Sequence, residues 1–316
     1  MKKNSDIIFT YPINFIKKKS KVKQNYILHE LNCVHIFFCE GLVLLKKVKN
    51  KLEVSYFNKK NKLFSFIDSS VYLGFFKKKN VYVHNITAKN IGKNKFNQID
   101  FFNKIIKKEK LFGSFFSDLR FTFANLRLKD SSVAGLGKSL IHWKLENKFC
   151  PKCGSNFMND KIFIWENKCN FCNKIYFPRI DPVIIVIVVN ENQTLLGRSH
   201  HFPDRLYSGL AGFIEPGETL EMAAAREIKE EVGIKITKIR FVANQPWPFP
   251  SSLMFGLKAI TKYKKLNIDK NEIEDALWIS KKHLKEVLKG KKDNISVARK
   301  GTIARYLLEK WADDKI

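Results

Sequence analysis

The run from Gly212 to Ile234 limits the fold of this chain more than any other segment, because it indicates a tight loop followed by a strongly charged helix. It begins GFIEPG, in which two glycines bracket a proline, as expected of a loop with unusual backbone angles. Thr219 is suited to cap the helix that follows, which is predicted to extend from Leu220 to Val232. Gly233 is placed to end it.

Three glutamates of this predicted helix crowd one face. Glu227, Glu230 and Glu231 are spaced i, i+3 and i+4, so their charges repel unless a cation lies among them. Arg226 is spaced to pair with Glu230 and orient it. A solvated charged face is the ordinary explanation of such a pattern. Carboxylates that leave room for water and phosphate oxygens are, however, the ligands that Mg²⁺ prefers.

The run also resembles a known motif. It is similar to the Nudix box, G-x5-E-x7-R-E-U-x-E-E-x-G-U with U apolar, at every fixed position. The matching residues are Gly212, Glu218, Arg226, Glu227, Ile228, Glu230, Glu231, Gly233 and Ile234. The resemblance implies a hydrolase in which Mg²⁺ or Mn²⁺ activates water for attack on a phosphorus of a nucleoside diphosphate derivative.

The same resemblance implies a role for each charged residue of the run. Glu227 and Glu231 are the implied metal ligands, with Glu230 a third ligand or the general base. Arg226 and Glu218 are carried over as members of the catalytic set. Because a diphosphate repels an incoming hydroxide, cations are needed to neutralise its oxygens and hold attacker and phosphorus in line. Several carboxylates in one place would hold those cations.

A segment downstream narrows the substrate. Residues 244–252, NQPWPFPSS, contain three prolines and two aromatic residues, which excludes a helix interior and favours rings held still for stacking on a flat base. Alone, the segment would be an aromatic surface turn, but it follows a complete box and resembles the SQPWPFPxS signature of NADH pyrophosphatases. Asn244 replaces the first serine of that signature. The implied substrate-binding residues are Gln245, Pro246, Trp247, Pro248, Phe249, Pro250, Ser251 and Ser252.

Four cysteines upstream form two CxxC pairs, Cys150 with Cys153 and Cys169 with Cys172, separated by fifteen residues. One pair alone would favour a redox motif, but two pairs at this spacing are typical of a four-cysteine zinc ribbon. All four ligand positions are filled, so the Zn²⁺ is expected to be structural rather than catalytic. NADH pyrophosphatases are similar in carrying a zinc ribbon just before the Nudix domain.

Further residues are carried over from the resemblance one at a time. Glu272 is implied as a metal ligand, Ala211 as a backbone metal ligand and Ala304 as a backbone contact to the substrate. Substrate contacts are also implied for three side chains with simpler explanations, an ion pair or core packing: Arg120, Phe177 and Phe213. Some bacterial relatives have a substrate-contacting glutamate between the cysteine pairs. This chain has Ile164 there, and Glu166 is out of register.

The order of these motifs predicts an α+β protein of three parts. Residues 1–145 are predicted to form an N-terminal mixed α/β domain, 146–177 the zinc ribbon, and 178–316 a Nudix α/β/α sandwich with a mixed sheet. Strands are expected at Val34–Phe38, Val54–Phe57, Val81–His84 and Pro182–Val189. Helices are expected around Asp100–Lys108 and Ser132–Leu145, followed by a final amphipathic helix that buries Ile303, Leu307, Leu308 and Trp311.

Composition limits the partners. The net charge is +28, with lysine clusters at 17–19, 77–79 and 104–110, which favours either a solvated surface or a nucleic-acid partner. No membrane span is expected, because the longest apolar run has seven residues, and the N-terminus lacks a small-residue cleavage site. Cys33 and Cys39 are expected to be buried free thiols in a reducing, cytoplasmic compartment.

The leading hypothesis is hydrolysis of NADH or NAD⁺ to AMP and nicotinamide mononucleotide, with removal of NAD caps from RNA as a related activity of some members of the family. The resemblance also implies a homodimer with sites shared across the interface. An enzyme alternative is hydrolysis of ADP-ribose or another dinucleotide. A different class is a zinc-ribbon RNA-binding protein whose Nudix fold is a non-catalytic scaffold, against which the complete set of box carboxylates argues.

Overall fold

The computed structural model describes residues 7–10, 32–58, 60–76, 78–88, 97–111, 113–157, 162–163, 165–291 and 294–316. Lys17 to Lys19, Lys77 and Ile164, named above, lie outside these ranges. The described residues divide into two compact units. The first contains those within Met1–Thr10, Ile180–Trp247 and Ser252–Ile316, and the second those within Tyr11–Arg179 and Pro248–Ser251. The finer boundaries at 145/146 and 177/178 stay predictions.

The second unit contains the earlier elements of the chain. Its strands are β1 Cys33–Cys39, β2 Leu42–Val48, β3 Lys51–Val54, β4 Ile67–Phe76, β5 Lys79–Ile86, β6 Ser114–Ser117, β7 Ile162–Phe163, β8 Asn167–Lys168 and β9 Ile175–Tyr176. Its helices are α1 Gln98–Lys108, α2 Leu119–Thr122 and α3 Leu128–Glu146, with 3₁₀ turns at Lys62–Phe66 and Phe123–Asn125.

Within the described part of this unit, one mixed sheet has the strand order β3-β2-β1-β5-β4-β7, with β6 paired to β2. β1 and β5 pair in parallel, and β4 and β5 antiparallel. The predicted strands at Val34–Phe38 and Val81–His84 and the two predicted helices are confirmed. The strand predicted at Val54–Phe57 is wrong. Pairing of β3 with β2 ends at Val54, and Phe57 instead forms an isolated bridge with His35 of β1.

The first unit contains the later elements. Its strands are β10 Asp181–Asn190, β11 Gln193–Arg198, β12 Leu206–Tyr207, β13 Leu210–Phe213, β14 Thr237–Trp247, β15 Ser252–Ile260, β16 Asp275–Ser280 and β17 Ser296–Val297. Its helices are α4 Leu220–Val232, α5 Lys281–Leu288 and α6 Ile303–Ala312. The predicted buried strand at Pro182–Val189 is confirmed as β10.

β10 is the central strand of this unit. Among the described residues the main sheet has the order β14-β15-β10-β11-β16, and β13 also pairs with β10. The β10–β15 pair is parallel, whereas β10 is antiparallel to β11 and β13, so the sheet is mixed. Because side chains alternate across a strand, Ile184, Val186 and Val188 of β10 face one core, and Ile185 and Ile187 face another.

Helices cover both of those cores. α4 contributes Ile228 and Val232 to the first, and α5 and α6 cover the second with residues that include Leu307 and Trp311. The predicted α/β/α sandwich with a mixed sheet and the apolar face of the C-terminal helix are therefore confirmed. None of the described helices has the length and apolar content needed to cross a bilayer.

The second unit buries a polar cluster in its sheet. His35 Nδ1 lies 2.9 Å from His84 Nε2, and the Ser70 hydroxyl lies 2.7 Å from His84 Nδ1. All three side chains are buried. Burial lowers the pKa of His35 to about 4. Burial, together with the neighbouring His35, also holds the pKa of His84 well below its usual value. Both imidazoles are therefore neutral in the folded protein near pH 6.

Core packing around α4 gives a first prediction. Ile228 of this helix is fully buried, whereas Met222 on the same helix is mostly exposed. Replacing Ile228 with Ala should lower the free energy of unfolding by about 2–5 kcal/mol, because the cavity that is left cannot fully collapse. Met222→Ala should change it by less than about 0.5 kcal/mol. Urea unfolding measures both, and equal effects would contradict the proposed packing.

The histidine cluster gives a second prediction. Unfolded histidines bind protons near pH 6.5, and the folded pair does not. The free energy of unfolding should therefore have its full value above pH 6.5 and decrease as the pH falls towards about 4. Urea unfolding at several pH values between 7 and 4.5 measures this dependence. His35→Gln should reduce the slope of the free energy of unfolding against pH by the equivalent of about one bound proton. The exposed His142→Gln is the control. If both variants keep the wild-type slope, the buried pair does not cause it.

Candidate active site

The Gly212–Ile234 run folds as its sequence predicts. The run begins at Gly212 in β13, and a turn follows that strand. α4 begins after Thr219, whose hydroxyl accepts a hydrogen bond from the Met222 N–H at 3.3 Å. Gly233 ends the helix in the left-handed region at φ 71°. A Cβ at Gly233 would also lie 2.8 Å from the Cβ of Asn267, so glycine is needed there for space as well as for conformation.

Arg226 holds the acidic residues of the run in place. Its guanidinium donates to both oxygens of Glu218, at 2.7 and 2.9 Å, and to Glu227 at 2.9 Å and Glu230 at 3.0 Å. It also donates to the backbone carbonyl of Phe213. Hydrogen bonds from Arg226, and one from the Glu215 N–H, lower the pKa of Glu218 to about 2. The predicted pairing of Arg226 with Glu230 is confirmed, and it is one bond of a larger network.

Three carboxylates form a cluster that shares Glu227 with the Arg226 network. Oxygens of Glu227, Glu231 and Glu272 lie within 4.8 Å of one another. Glu272 reaches the cluster from a loop tied to the end of α4, where the Asp269 N–H donates to the carbonyl of Glu231 and the Glu272 N–H donates to that of Asp269. Glu230 does not belong to the cluster. It is 46% exposed and directed to Arg226.

The electrostatics of this cluster fit a bound cation. Glu231 is buried, and its Oε2 has no hydrogen-bond partner. Burial, followed by the charges of Glu227, Glu272 and Glu230, raises the pKa of Glu231 to about 8. Burial likewise raises the pKa of Glu227. A buried carboxylate oxygen without a partner is costly unless a cation or a proton satisfies it, so the donor set suits a divalent ion.

Gly212 makes room for this cluster. A Cβ at position 212 would lie 1.9 Å from the carboxylate of Glu227, so only glycine allows that side chain to occupy its position. The neighbouring Ala211 lines the same cavity as Glu231. Its predicted role as a backbone metal ligand stays a prediction.

A largely apolar cavity of about 300 Å³ opens beside Glu231. Predicted site residues in its lining are Ala211, Gln245, Trp247 and Ala304. Others were not predicted: Ser208, Met254 and Thr302. Met254 could have been predicted from the pairing of β14 with β15, because it lies opposite the predicted residue Gln245. Arg198 also lines the cavity, held by Glu274 at 3.0 Å.

The amide of Gln245 is fully occupied by backbone groups. It is completely buried, its nitrogen donates to the carbonyls of Ile8 and Gly301 at 3.0 and 2.9 Å, and its oxygen accepts from the Ile303 N–H at 2.7 Å. These bonds position the first turn of α6, which places Ala304 in the cavity wall. The polar atoms of Gln245 therefore hold the cavity together.

The aromatic residues of the downstream segment have different environments. Trp247 is half-buried at the end of β14 and meets Phe9 edge-on, with ring centroids 6.1 Å apart. Phe249 belongs to the second unit and is buried, with the guanidinium of Arg120 5.0 Å and the Lys138 ammonium 5.8 Å from its ring centroid. Phe249, one of the two rings expected to stack on a base, thus already has two cations near its face, and its implied substrate contact stays a prediction.

The remaining predicted residues are placed as follows. Pro246 and Pro250 are exposed, Pro248 is buried, and Ser251 and Ser252 are half-buried. The rings of Phe213 and Phe177 are 61% and 65% exposed, so core packing does not explain them. The substrate contacts implied for all of these residues stay predictions.

The four cysteines converge in the second unit. The sulfurs of Cys150, Cys153, Cys169 and Cys172 lie within 4.8 Å of one another. Each pair closes a matching turn, in which an N–H four residues on donates at 2.9 Å to the carbonyl of Cys150 or Cys169. The donor residues, Gly154 and Asn173, both have positive φ.

The chemistry of this sulfur cluster suits a metal. Hydrogen bonds, the first from the Cys172 N–H, lower the pKa of the Cys169 thiol to about 6, which favours the thiolate that zinc binds. Cys33 and Cys39 are buried and form no disulfide with another described residue, as predicted.

Comparisons with known proteins agree with this geometry. Residues 179–300 match the NUDIX domain family. The chain is 40% identical over 196 residues to a human protein named NAD-capped RNA hydrolase NUDT12, covering 59% of this chain and 42% of that protein. It is 41% identical over 174 residues to NAD-capped RNA hydrolase NudC of Vibrio parahaemolyticus, covering 55% and 62%.

A plant protein is similar to the same extent. The chain is 38% identical over 180 residues to Nudix hydrolase 19, chloroplastic, of Arabidopsis thaliana, covering 52% of this chain and 40% of that protein. The chain thus spans 40 to 62% of the length of these relatives. The family match lies on the unit that holds the glutamate cluster and includes the Gly212–Ile234 run. Residues 179–300 of this chain form a Nudix domain.

Proposed function

We propose that this chain is a divalent-metal-dependent hydrolase that cuts the diphosphate bond of NADH and NAD⁺ to AMP and nicotinamide mononucleotide, and that it removes NAD caps from RNA. One observation carries the proposal. Three carboxylates, one with a buried oxygen that lacks a partner, lie beside a cavity lined mostly by apolar groups. The names of the human and Vibrio relatives support the choice of substrate.

Glu227, Glu231 and Glu272 would hold Mg²⁺ or Mn²⁺, with Glu230 and the backbone carbonyl of Ala211 as further candidates. When bound, such ions neutralise phosphate oxygens and lower the pKa of a coordinated water. The fit rests on donor chemistry, since carboxylate oxygens are the ligands that these hard cations prefer. The four cysteines would hold Zn²⁺ in a structural site.

The side chains of the domain position and enclose the reaction. Arg226 fixes the direction of Glu227 through a 2.9 Å hydrogen bond and prevents Glu230 from turning away from the helix. The apolar walls of the cavity exclude water from one side of Glu231. Glu230, exposed and hydrogen-bonded to Arg226, is the candidate for accepting the proton of the attacking water.

The cavity suits one half of a dinucleotide. Its volume of about 300 Å³ is at the lower end for small-molecule sites. The half-buried Trp247 in its wall offers an aromatic surface to a base. A homodimer with shared sites stays a prediction from the resemblance.

The central test compares substrates in the purified protein with Mg²⁺. NADH and NAD-capped RNA should release AMP or a 5′-monophosphate transcript, with kcat/KM above that for ADP-ribose. Glu231→Gln should lower kcat by about 100-fold or more, because the cation loses a charged ligand. Glu221→Gln, on the exposed side of α4, should keep wild-type activity. Preference for ADP-ribose would replace the proposed substrate, and an inactive wild type that binds RNA would indicate a scaffold.

A direct metal-binding prediction follows from Gly212. Gly212→Ala places a methyl group where the Glu227 carboxylate lies, so Mn²⁺ affinity should fall by roughly 10- to 100-fold. Titration followed by electron paramagnetic resonance measures this without turnover. Glu221→Ala, which removes a carboxylate outside the cluster, serves as the control. Unchanged Mn²⁺ affinity in Gly212→Ala would show that metal binding does not depend on the position that the Glu227 carboxylate occupies beside Gly212.

A further inference from the structure

The hairpin formed by β8 and β9 exposes an unusual combination of side chains. Lys168, Phe171, Lys174, Ile175 and Phe177 are all exposed, and together they are called the ribbon surface below. Phe171 is 80% exposed and Ile175 46% exposed. Phe177, just after β9, is 65% exposed. Several large apolar side chains this open to water on one short segment are uncommon outside binding sites.

The strand register explains why these side chains lie outside the core. Lys168 lies directly opposite Ile175 in the antiparallel β8–β9 pair, so both point to the same face of the hairpin. Tyr176 points to the other face, where its ring packs against Phe157 with centroids 5.6 Å apart. Phe177 comes directly after β9, and its ring is exposed.

Phe171 lies in the turn between the two strands. The Cys169 N–H donates to the Lys174 carbonyl at 2.8 Å, and the Asn173 N–H donates to the Cys169 carbonyl at 2.9 Å. These backbone bonds and the convergence of the sulfurs account for the turn. None of them requires an aromatic side chain at position 171, so folding alone does not explain it.

The charge of this hairpin is uniformly positive. Residues 167–179 contain Lys168, Lys174 and Arg179 and no acidic residue, in a chain of net charge +28. Within the described part of the protein, no carboxylate forms an ion pair with Lys168 or Lys174. A second copy of this chain would bring its own positive charge to such a surface. A polyanion with flat rings is complementary to this surface, because its charge is negative and its rings can stack on the exposed aromatic side chains.

We propose that the ribbon surface binds the single-stranded RNA that follows the cap, with a base stacked on Phe171 and phosphates paired with Lys168 and Lys174. The proposal rests on the proposed function for its choice of RNA. It adds that the zinc module recognises the transcript, whereas the Nudix domain holds the metal ligands. Stacking on an aromatic ring tolerates any base, so the surface favours single strands without a sequence preference.

The test measures affinity for a 12-nucleotide single-stranded RNA with a 5′ monophosphate, which the enzyme does not need to cleave. Phe171→Ala should raise Kd by roughly five- to tenfold, whereas Phe171→Tyr should keep it. Phe241→Ala, which removes an exposed ring from β14, is the control. Zinc content of one ion per chain confirms that the ribbon of each variant is intact.

Charge is tested separately. Lys168→Ala with Lys174→Ala should lower the slope of log Kd against log salt by about 1 to 2. Lys262→Ala with Lys265→Ala, which removes two other exposed lysines, should leave the slope unchanged. In turnover, Phe171→Ala should lower kcat/KM for NAD-capped RNA while kcat/KM for NADH stays within about twofold, since NADH carries no transcript.

Three results would overturn the proposal: equal RNA affinity in Phe171→Ala and Phe241→Ala, equal losses for NADH and capped RNA, or a wild-type dimer that dissociates in Phe171→Ala. The last would show that a second copy of the chain covers this surface. If the wild type cleaves neither NADH nor capped RNA, the proposed function fails, and oligonucleotide affinity still decides the role of the ribbon surface.

Discussion

The guanidinium of Arg226 is the group on which the geometry of the candidate site depends. Three glutamates within five residues of one helix would repel one another in water. Arg226 binds Glu218, Glu227 and Glu230 together, and through the carbonyl of Phe213 it also joins the helix to the end of β13. Oε2 of Glu231, on the same helix, is buried and has no hydrogen-bond partner among the described residues. Glu227 belongs both to this network and to the carboxylate cluster, so Arg226 also orients one of the proposed metal ligands.

The sheet decides where those carboxylates lie. Alternate residues of β10 enter different cores, so the strand is covered on both faces, and α4 can approach it only with its apolar side. Ile228 and Val232 anchor that side, and Glu231, next to Val232, is buried at its edge. Gly212 lies on β13, which pairs with β10, and leaves the space that Glu227 fills. Strand pairing thus brings Gly212 next to Glu227, a residue of the candidate metal site fifteen positions further along the sequence.

Local features were predictable from the sequence, and long-range ones were not. The cap at Thr219, the helix end at Gly233 and the pairing of Arg226 with Glu230 each depend on residues within one or two helical turns. Arg226 makes a bidentate pair with Glu218, and Gln245 binds the first turn of α6. Both interactions depend on tertiary contacts that no spacing rule encodes. Glu272 was anticipated by resemblance alone, since it is forty residues or more from Glu227 and Glu231. Phe249 was expected to offer its ring to a base, but Arg120 and Lys138 cover it.

The segment that contains the four cysteines exposes several aromatic and basic side chains. A segment this short has little room for an apolar core, so a metal held by the four cysteines, as proposed above, would add stability. Gly154 and Asn173 take the same left-handed conformation in the two knuckles, so the backbone of each is determined by its cysteines and one permissive residue. The proposed binding of RNA would explain why aromatic and cationic side chains are exposed on the outer face of this segment.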